Sequence, residues 1–221
     1  MKNIELVIFD CDGVVVDSEV LSCQSLVNVL RQYDVPISLD QVFDKFLGKS
    51  FSVVEAYYRE TTGKPLPDDL RTDYRDLLAT TFRASLKPMP GINAILGALK
   101  LPYCLASSSD SERIATTLAA AGLTPYFGDR VYSAAMVAKG KPAPDLFLFA
   151  AAQMDREPRQ TMVVEDTVAG VLAGRAAGMT VWGFAGGSHC IGRDVGRRLA
   201  EAGADRVFDS MADFTKPMSP G

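Results

Sequence analysis

Positions 4–13 read Ile-Glu-Leu-Val-Ile-Phe-Asp-Cys-Asp-Gly, and this stretch indicates the fold of the chain. Apart from Glu5, the residues from Ile4 to Phe9 are apolar on both faces, as expected of a strand buried in a parallel sheet. Two acidic residues, Asp10 and Asp12, follow this strand. Ligands of open α/β sheets bind beyond the carboxyl ends of the strands, so a site is expected here.

Most of the remaining chain alternates between strand-like and helix-like segments. Helical segments separate five further predicted strands: Tyr103–Ser107, Arg130–Tyr132, Thr161–Val164, Met179–Phe184 and Arg206–Phe208. Such alternation predicts an α/β fold, with a parallel sheet covered by helices on both faces. Gly122 and Gly178 stand where the C-terminal caps of two of these helices are expected.

A helical block interrupts this pattern after the first strand. One helix is predicted over Glu19–Tyr33, and the apolar residues of 38–84 recur at spacings of three and four with no strand-like run between them. The sequence Pro-Met-Pro-Gly at 88–91 then marks a boundary. The sequence therefore predicts a core built from residues 1–16 and 86–221, with residues 17–85 inserted as an all-helical domain.

Composition restricts the classes of function. The 221 residues are 48% hydrophobic and carry a net charge of −4, so no basic field attracts nucleic acid or an anionic membrane. No apolar run approaches the length of a membrane span. The four cysteines show no C-x-x-C spacing, which favours reduced thiols in a cytoplasmic protein. The oligomeric state is left open, and a monomer is compatible with the sequence.

Polar residues follow several of the predicted strands and should meet at one edge of the sheet. They are Asp10, Asp12, Ser107, Ser108, Ser109, Lys141 (in a loop), Glu165 and Asp166. Each of these residues could instead have an ordinary structural role. Acids and serines after strands often cap helices or form hydrogen bonds within turns, and most lysines are solvated. Their coincidence at several strand ends favours an active site.

Crowded carboxylates repel each other unless a cation compensates them. Oxygen ligands and a phosphate substrate point to Mg²⁺ as that cation. In this interpretation Ser107, Ser108 and Lys141 bind the phosphate of a small-molecule phosphate monoester. Asp10 attacks phosphorus to form an aspartyl-phosphate, and Asp12 acts as general acid and then general base.

Four segments of the chain resemble the motifs of the haloacid dehalogenase superfamily, in the family's order. They are Asp10–Glu19, Leu105–Ser109, Gly140–Asp145 and Val163–Gly170. The resemblance covers nearly the whole chain. It implies a Rossmann-like, doubly wound core and makes the inserted helices a mobile cap domain.

The resemblance also implies roles for individual residues. It gives Mg²⁺ the ligands Asp10, the backbone carbonyl of Asp12 and Asp166, with Glu165 either behind them or as an occasional ligand. Lys139 competes with Lys141 for the phosphate-binding role.

Within the superfamily, Asp12 indicates a phosphatase or a phosphomutase. The chain looks most similar to bacterial sugar-phosphate phosphatases, such as the 6-phosphogluconate branch. Beta-phosphoglucomutases have similar motifs and a similar cap, but they carry a histidine at the position that Ser22 occupies here. The one histidine, His189, lies in a late loop and is expected at the surface. A phosphomutase therefore remains the alternative, followed by a non-enzymatic regulatory protein on the same fold.

Substrate choice is expected to come from the cap. Lys49 lies in a Gly-Lys-Ser turn between two predicted cap helices, where this family places a specificity loop. It is a candidate to meet a distal anionic group of the substrate. A solvated lysine on a helix–helix turn is the equal alternative.

Overall fold

The computed structural model describes residues 4–49 and 51–215. The tail from Lys216 to Gly221, for which the sequence predicts fraying, lies outside the described residues. None of the helices in the described part of the chain combines the length and the apolar character needed to cross a bilayer.

A six-stranded, all-parallel sheet forms the core of the α/β part of the chain. Its strands are β1 (Leu6–Phe9), β2 (Tyr103–Ser107), β3 (Val131–Ser133), β4 (Thr161–Glu165), β5 (Thr180–Phe184) and β6 (Arg206–Phe208). They lie in the order β3-β2-β1-β4-β5-β6, which is the Rossmann order. The predicted fold class is confirmed.

The first strand occupies the middle of this sheet. In β1, Ile8 is in register with Cys104 of β2 on one side and with Val163 of β4 on the other, and every residue of the strand is buried. Successive strands extend from β1 to one edge of the sheet, and the chain then returns to build the other half from β4. The order reverses between β1 and β4, where α/β sheets of this kind form their binding crevice.

An all-helical segment follows β1 in the chain. Its helices are α1 (Glu19–Gln32), α2 (Leu39–Phe46), α3 (Phe51–Thr62) and α4 (Asp68–Ser85). Helix α1 packs against α2 and α4 around a buried apolar cluster that includes Leu26, Leu30 and Val42. A capping box begins α2, because the Ser38 side chain accepts from the Gln41 amide while the Gln41 side chain accepts from the Ser38 amide.

The helices that accompany the sheet are α5 (Ile92–Ala98), α6 (Ser111–Ala120), α7 (Thr124–Phe127), α8 (Asp145–Gln153), α9 (Val168–Ala176) and α10 (Val195–Glu201). Helix α9 approaches β5 closely at Gly174, where a Cβ would lie 2.6 Å from Cγ2 of Val181. Glycine is required there because a side chain would separate the helix from the sheet.

The predicted elements agree with the structure except at their ends and at α7. The first strand begins at Leu6 instead of Ile4, since only the paired residues form the ladder. Gly122 and Gly178 have φ values of +69° and +75°, which confirms their positions as helix C-caps. Helix α7 is a single turn with no periodic signal of its own, and the sequence did not predict it.

The chain divides into two compact units, Met1–Asp17 with Lys87–Gly221 and Ser18–Leu86. The sequence places both boundaries one residue earlier. The first unit contains the sheet and its helices, and the second contains α1 to α4. That the helical unit acts as a cap remains a proposal.

Candidate active site

Acidic residues stand at the point where the strand order reverses. Asp10 directly follows β1, and its amide donates to the carbonyl of Val164 in β4 at 3.0 Å. Glu165 ends β4, and Asp166 follows it. The side chains of all three acids are buried. The register between β1 and β4 therefore brings together carboxylates that are about 155 residues apart in sequence.

Lys141 provides the compensating charge. Its Nζ lies 2.5 Å from Oδ1 of Asp10 and 2.6 Å from Oε1 of Glu165, and it also donates to the Ala106 carbonyl at 3.2 Å. Only 4% of the lysine side chain is exposed. A single ammonium thus bridges the carboxyl ends of β1 and β4.

The pKa values of these groups reflect the competition between burial and charge. Burial raises the pKa of Asp10 well above its usual value, Lys141 lowers it, and the neighbouring Glu165 and Asp166 raise it further. Burial alone would lower the pKa of Lys141, but its two carboxylate partners raise that pKa above the usual range. Lys141 therefore stays charged at neutral pH, and it favours the ionised form of Asp10.

Both oxygens of Glu165 are occupied by other groups. Oε1 accepts from Lys141, and Oε2 accepts from the amide and the hydroxyl of Thr167, each at 2.8 Å. The Thr167 hydroxyl in turn accepts from the Gly170 amide and caps α9. A Cβ on Gly170 would lie 1.8 Å from Oε1 of Glu165, so the helix leaves room for this carboxylate only because residue 170 is glycine. These contacts fit a supporting role for Glu165, behind the residues that would touch a ligand.

A tight turn after β1 places Asp12 in the site. Within that turn, the Gly13 amide donates to the Val16 carbonyl at 2.8 Å. Oδ2 of Asp12 accepts from the Ser109 hydroxyl at 3.0 Å, and Oδ1 lies 3.4 Å from Nη2 of Arg113 in α6. The sequence did not predict the contact with Arg113, because a single arginine in a helix gives no signal of its own.

The predicted phosphate-binding residues differ in their surroundings. Ser107 is buried at the end of β2, and its Oγ accepts from the Ser109 amide at 3.1 Å. Ser108 is exposed. Lys139 is exposed as well, whereas Lys141 is buried against the acids. The geometry therefore favours Lys141 over Lys139 at this site.

Asp166 is the feature that suits a cation. It is 3% exposed, yet neither of its carboxylate oxygens has a hydrogen-bond partner among the residues that the structure describes. Burial raises its pKa, as does Glu165, while His189 and Lys141 lower it. Its Oδ2 lies 1.8 Å from where a Cβ of Gly13 would stand, and Gly13 has a φ of +78°. A buried carboxylate needs compensating positive charge, and here His189 lies 3.2 Å from Oδ2 while Oδ1 has no hydrogen-bond partner in the described chain.

The residues at this edge fit a hard divalent cation. In the described part of the chain, no three His, Cys, Asp or Glu side chains form a metal cluster by themselves. A cation here would therefore take carboxylates from Asp10 and Asp166 and complete its shell with the Asp12 carbonyl, as the family resemblance implies, and with water or substrate.

The expectation for His189 is wrong. The residue is only 2% exposed, because the turn Ser188–Cys190 directs its ring inward. Its Nε2 lies 3.2 Å from Oδ2 of Asp166 and 3.2 Å from Sγ of Cys190. The Asp166 contact is at ion-pair distance, although its angles are not those of a hydrogen bond. Burial lowers the pKa of His189, but Asp166 and Cys190 together raise it to about 11.

Lys49, the candidate specificity residue, and Ser22, which bears on the phosphomutase alternative, both belong to the helical unit. Lys49 is exposed, and its amide donates to the Phe46 carbonyl in the turn after α2. The adjoining Gly48 has a φ of +68°, which the turn requires. Ser22 is buried in α1. Ser50, the third member of the predicted specificity loop, lies outside the described residues.

Comparison with known proteins shows the family of the chain. The family model described as haloacid dehalogenase-like hydrolase matches residues 4–178. The chain belongs to this family, and the predicted resemblance is confirmed.

Several relatives cover nearly the full chain. The 6-phosphogluconate phosphatase of Escherichia coli is 30% identical over 190 residues, which are 86% of each protein. The beta-phosphoglucomutase of Bacillus subtilis is 31% identical over 203 residues, 86% of this chain and 87% of that protein. Among solved structures, a haloacid dehalogenase-like protein of unknown function from Agrobacterium tumefaciens is 37% identical, with a TM-score of 0.82 and 96% of each chain covered.

Proposed function

We propose that this protein is a Mg²⁺-dependent phosphatase that hydrolyses a sugar phosphate, or a similar small phosphate monoester, through an aspartyl-phosphate intermediate. The observation that carries the proposal is the buried arrangement at the reversal point of the sheet. Lys141 bridges Asp10 and Glu165 there, and the Asp166 carboxylate has no hydrogen-bond partner within the described chain.

The relatives support the class of reaction. The chain is a phosphoric monoester hydrolase of the haloacid dehalogenase-like family, and its relatives include a 6-phosphogluconate phosphatase and a fructose-1-phosphate phosphatase. Both names describe sugar-derived phosphates, which is why we propose a substrate of that kind for this chain. The intact set of acids, hydroxyl and lysine speaks against a non-enzymatic regulatory protein.

In the proposed mechanism, a carboxylate oxygen of Asp10 forms a bond to phosphorus while the ester P–O bond breaks. The carboxyl group of Asp12 gives its proton to the departing alkoxide. Asp12 then takes a proton from water, whose oxygen attacks phosphorus and releases Asp10 as a carboxylate. Lys141, Ser107 and Ser108 bind the oxygens of the phosphoryl group during both steps.

Mg²⁺ bound by Asp10, the Asp12 carbonyl and Asp166 would supply positive charge to a protein whose net charge is −4. We assign Glu165 the task of holding Lys141 in place. The helical unit is proposed to act as a cap that excludes water during the reaction, with Lys49 as the candidate contact to a distal group of the substrate.

The test is phosphate release from a panel of phosphorylated metabolites, measured with Mg²⁺ and with a chelator. Metal-dependent release is expected, and the Asp10→Asn variant should lose it because an amide cannot attack phosphorus. Lys139→Ala serves as a matched control for Lys141→Ala, and only the buried lysine should be needed. Near-full activity of Asp10→Asn would refute the nucleophile assignment, and chelator-resistant release would refute the metal requirement.

A phosphomutase is the second candidate, and the similarity to the beta-phosphoglucomutase of Bacillus subtilis favours it. Ser22 stands in α1 where the resemblance implies a histidine in the mutases, so we rank this candidate lower. A sugar monophosphate supplied with the matching bisphosphate primer distinguishes the two. Formation of an isomeric sugar phosphate without free phosphate would identify a mutase.

A further inference from the structure

The segment Gly187–Cys190 brings the chain's single histidine to Asp166, the buried acid that follows β4. The segment follows β5 and makes one short turn over Ser188–Cys190. Its position is secured at Ser188, whose amide and hydroxyl both donate to Oδ1 of Asp17, at 3.0 Å and 2.8 Å. The next residue, His189, places Nε2 3.2 Å from Oδ2 of Asp166.

Two glycines make room for this imidazole ring. A Cβ on Gly187 would lie 2.7 Å from Cε1 and from Nδ1 of His189. A Cβ on Gly13 would lie 3.1 Å from Cε1 of the His189 ring and 1.8 Å from Oδ2 of Asp166. The ring and the carboxylate therefore occupy one small space between the turn after β1 and the segment after β5.

His189 takes no part in the proposed chemical steps. The residue is 2% exposed, so it is not a surface side chain that merely happens to face an acid. Its Nε2 contacts Oδ2 of Asp166. The other oxygen, Oδ1, has no hydrogen-bond partner in the described chain. A group that holds one oxygen of a carboxylate fixes the direction in which the other oxygen points.

We propose that His189 is a positioning residue for the metal site: it holds Oδ2 of Asp166 so that the carboxylate is oriented for a divalent cation. The inference rests on the proposed function, since it takes Asp166 as a metal ligand. Residues that hold metal ligands in place typically change metal affinity 10–100-fold when they are replaced. We therefore expect the loss of the His189 contact to weaken metal binding by roughly 10–100-fold.

The experiment measures Mn²⁺ binding to the full chain without substrate, from the loss of the free-ion signal in electron paramagnetic resonance, with Mg²⁺ as competitor. Thermal unfolding of each variant is also measured in chelator, so that a folding defect is distinguished from a loss of metal binding. His189→Leu should raise the dissociation constant for Mn²⁺ by roughly 10–100-fold. His189→Gln should recover most of the affinity, because its amide nitrogen can donate to Oδ2 from a similar position.

Cys190→Ala is the matched control, since Sγ of Cys190 lies 3.2 Å from the same ring nitrogen, Nε2 of His189. It should leave Mn²⁺ affinity unchanged. Unchanged or tighter binding by His189→Leu would overturn the proposal, and so would a Cys190→Ala variant that weakens binding equally. Failure of the wild-type protein to bind Mn²⁺ or Mg²⁺ would instead refute the metal requirement of the proposed function.

Discussion

Replacing Lys141 with methionine tests the charge balance of the buried site. The substitution keeps the volume of the side chain but removes the ammonium from two buried carboxylates, Asp10 and Glu165. The lysine side chain is 4% exposed, so water cannot replace it without rearrangement. Breaking a buried ion pair by removing one partner costs about 3–5 kcal/mol of unfolding free energy. For a chain of this size the unfolding midpoint should fall by roughly 6–20 °C.

The stability lost in the Lys141→Met variant should depend on pH, in a direction that follows from the pKa of Asp10. Burial already raises the pKa of Asp10 above its unfolded value, and loss of Lys141, which lowers that pKa, raises it further. A carboxyl group whose pKa is raised in the folded state stabilises folding below its unfolded pKa of about 3.9, and this contribution is lost as pH rises through the folded pKa. The deficit of the variant should therefore be largest near pH 8 and shrink towards pH 4.

The assay is thermal and urea unfolding of both proteins in chelator across this pH range. Lys139→Met is the matched control, because it makes the same substitution at an exposed lysine two residues away. The double variant Lys141→Met/Glu165→Gln should recover part of the lost stability, since it removes one uncompensated charge. Equal losses at positions 139 and 141, or a deficit that does not change with pH, would refute the reasoning.

Further predictions concern single substitutions to alanine at positions whose neighbouring atoms are known from the structure. Gly170→Ala should destabilise the protein in urea unfolding, because its Cβ would lie 1.8 Å from Oε1 of Glu165. Gly97→Ala, whose Cβ would have nothing within 4 Å, should instead stabilise α5 by up to about 1 kcal/mol. A Gly170→Ala variant more stable than Gly97→Ala would contradict the packing argument. Gly13→Ala should cost at least the roughly 1–2 kcal/mol of a left-handed backbone. It should also weaken Mn²⁺ binding, because its Cβ would lie 1.8 Å from Oδ2 of Asp166. Ser38→Ala should lower helical-unit stability by about 1 kcal/mol through loss of the α2 cap, with phosphate release at low temperature unchanged.

Much of the fold could be predicted because its signals are local. The apolar run that ends at Asp10 and the alternation of strands and helices after residue 91 predict a parallel sheet, and the structure confirms it. Motif order identifies the family, which the family model confirms. The roles of Asp10, Asp12 and Lys49 in catalysis and recognition stay predictions.

The contacts between residues of the site could not be predicted from the sequence, because they depend on the tertiary structure. His189 was expected at the surface, yet the turn after β5 buries it against Asp166. Likewise, Arg113 lies beside Asp12 although 100 residues separate them in the chain.

The sequence by itself determined that acids follow two of the buried strands, since a buried parallel strand and the acids after it are patterns of neighbouring positions. Only the tertiary structure decided which partner each of those residues meets. Such pairings arise from the order of the strands in the sheet and from the close approach allowed at Gly13 and Gly187, and both join segments that are far apart along the chain.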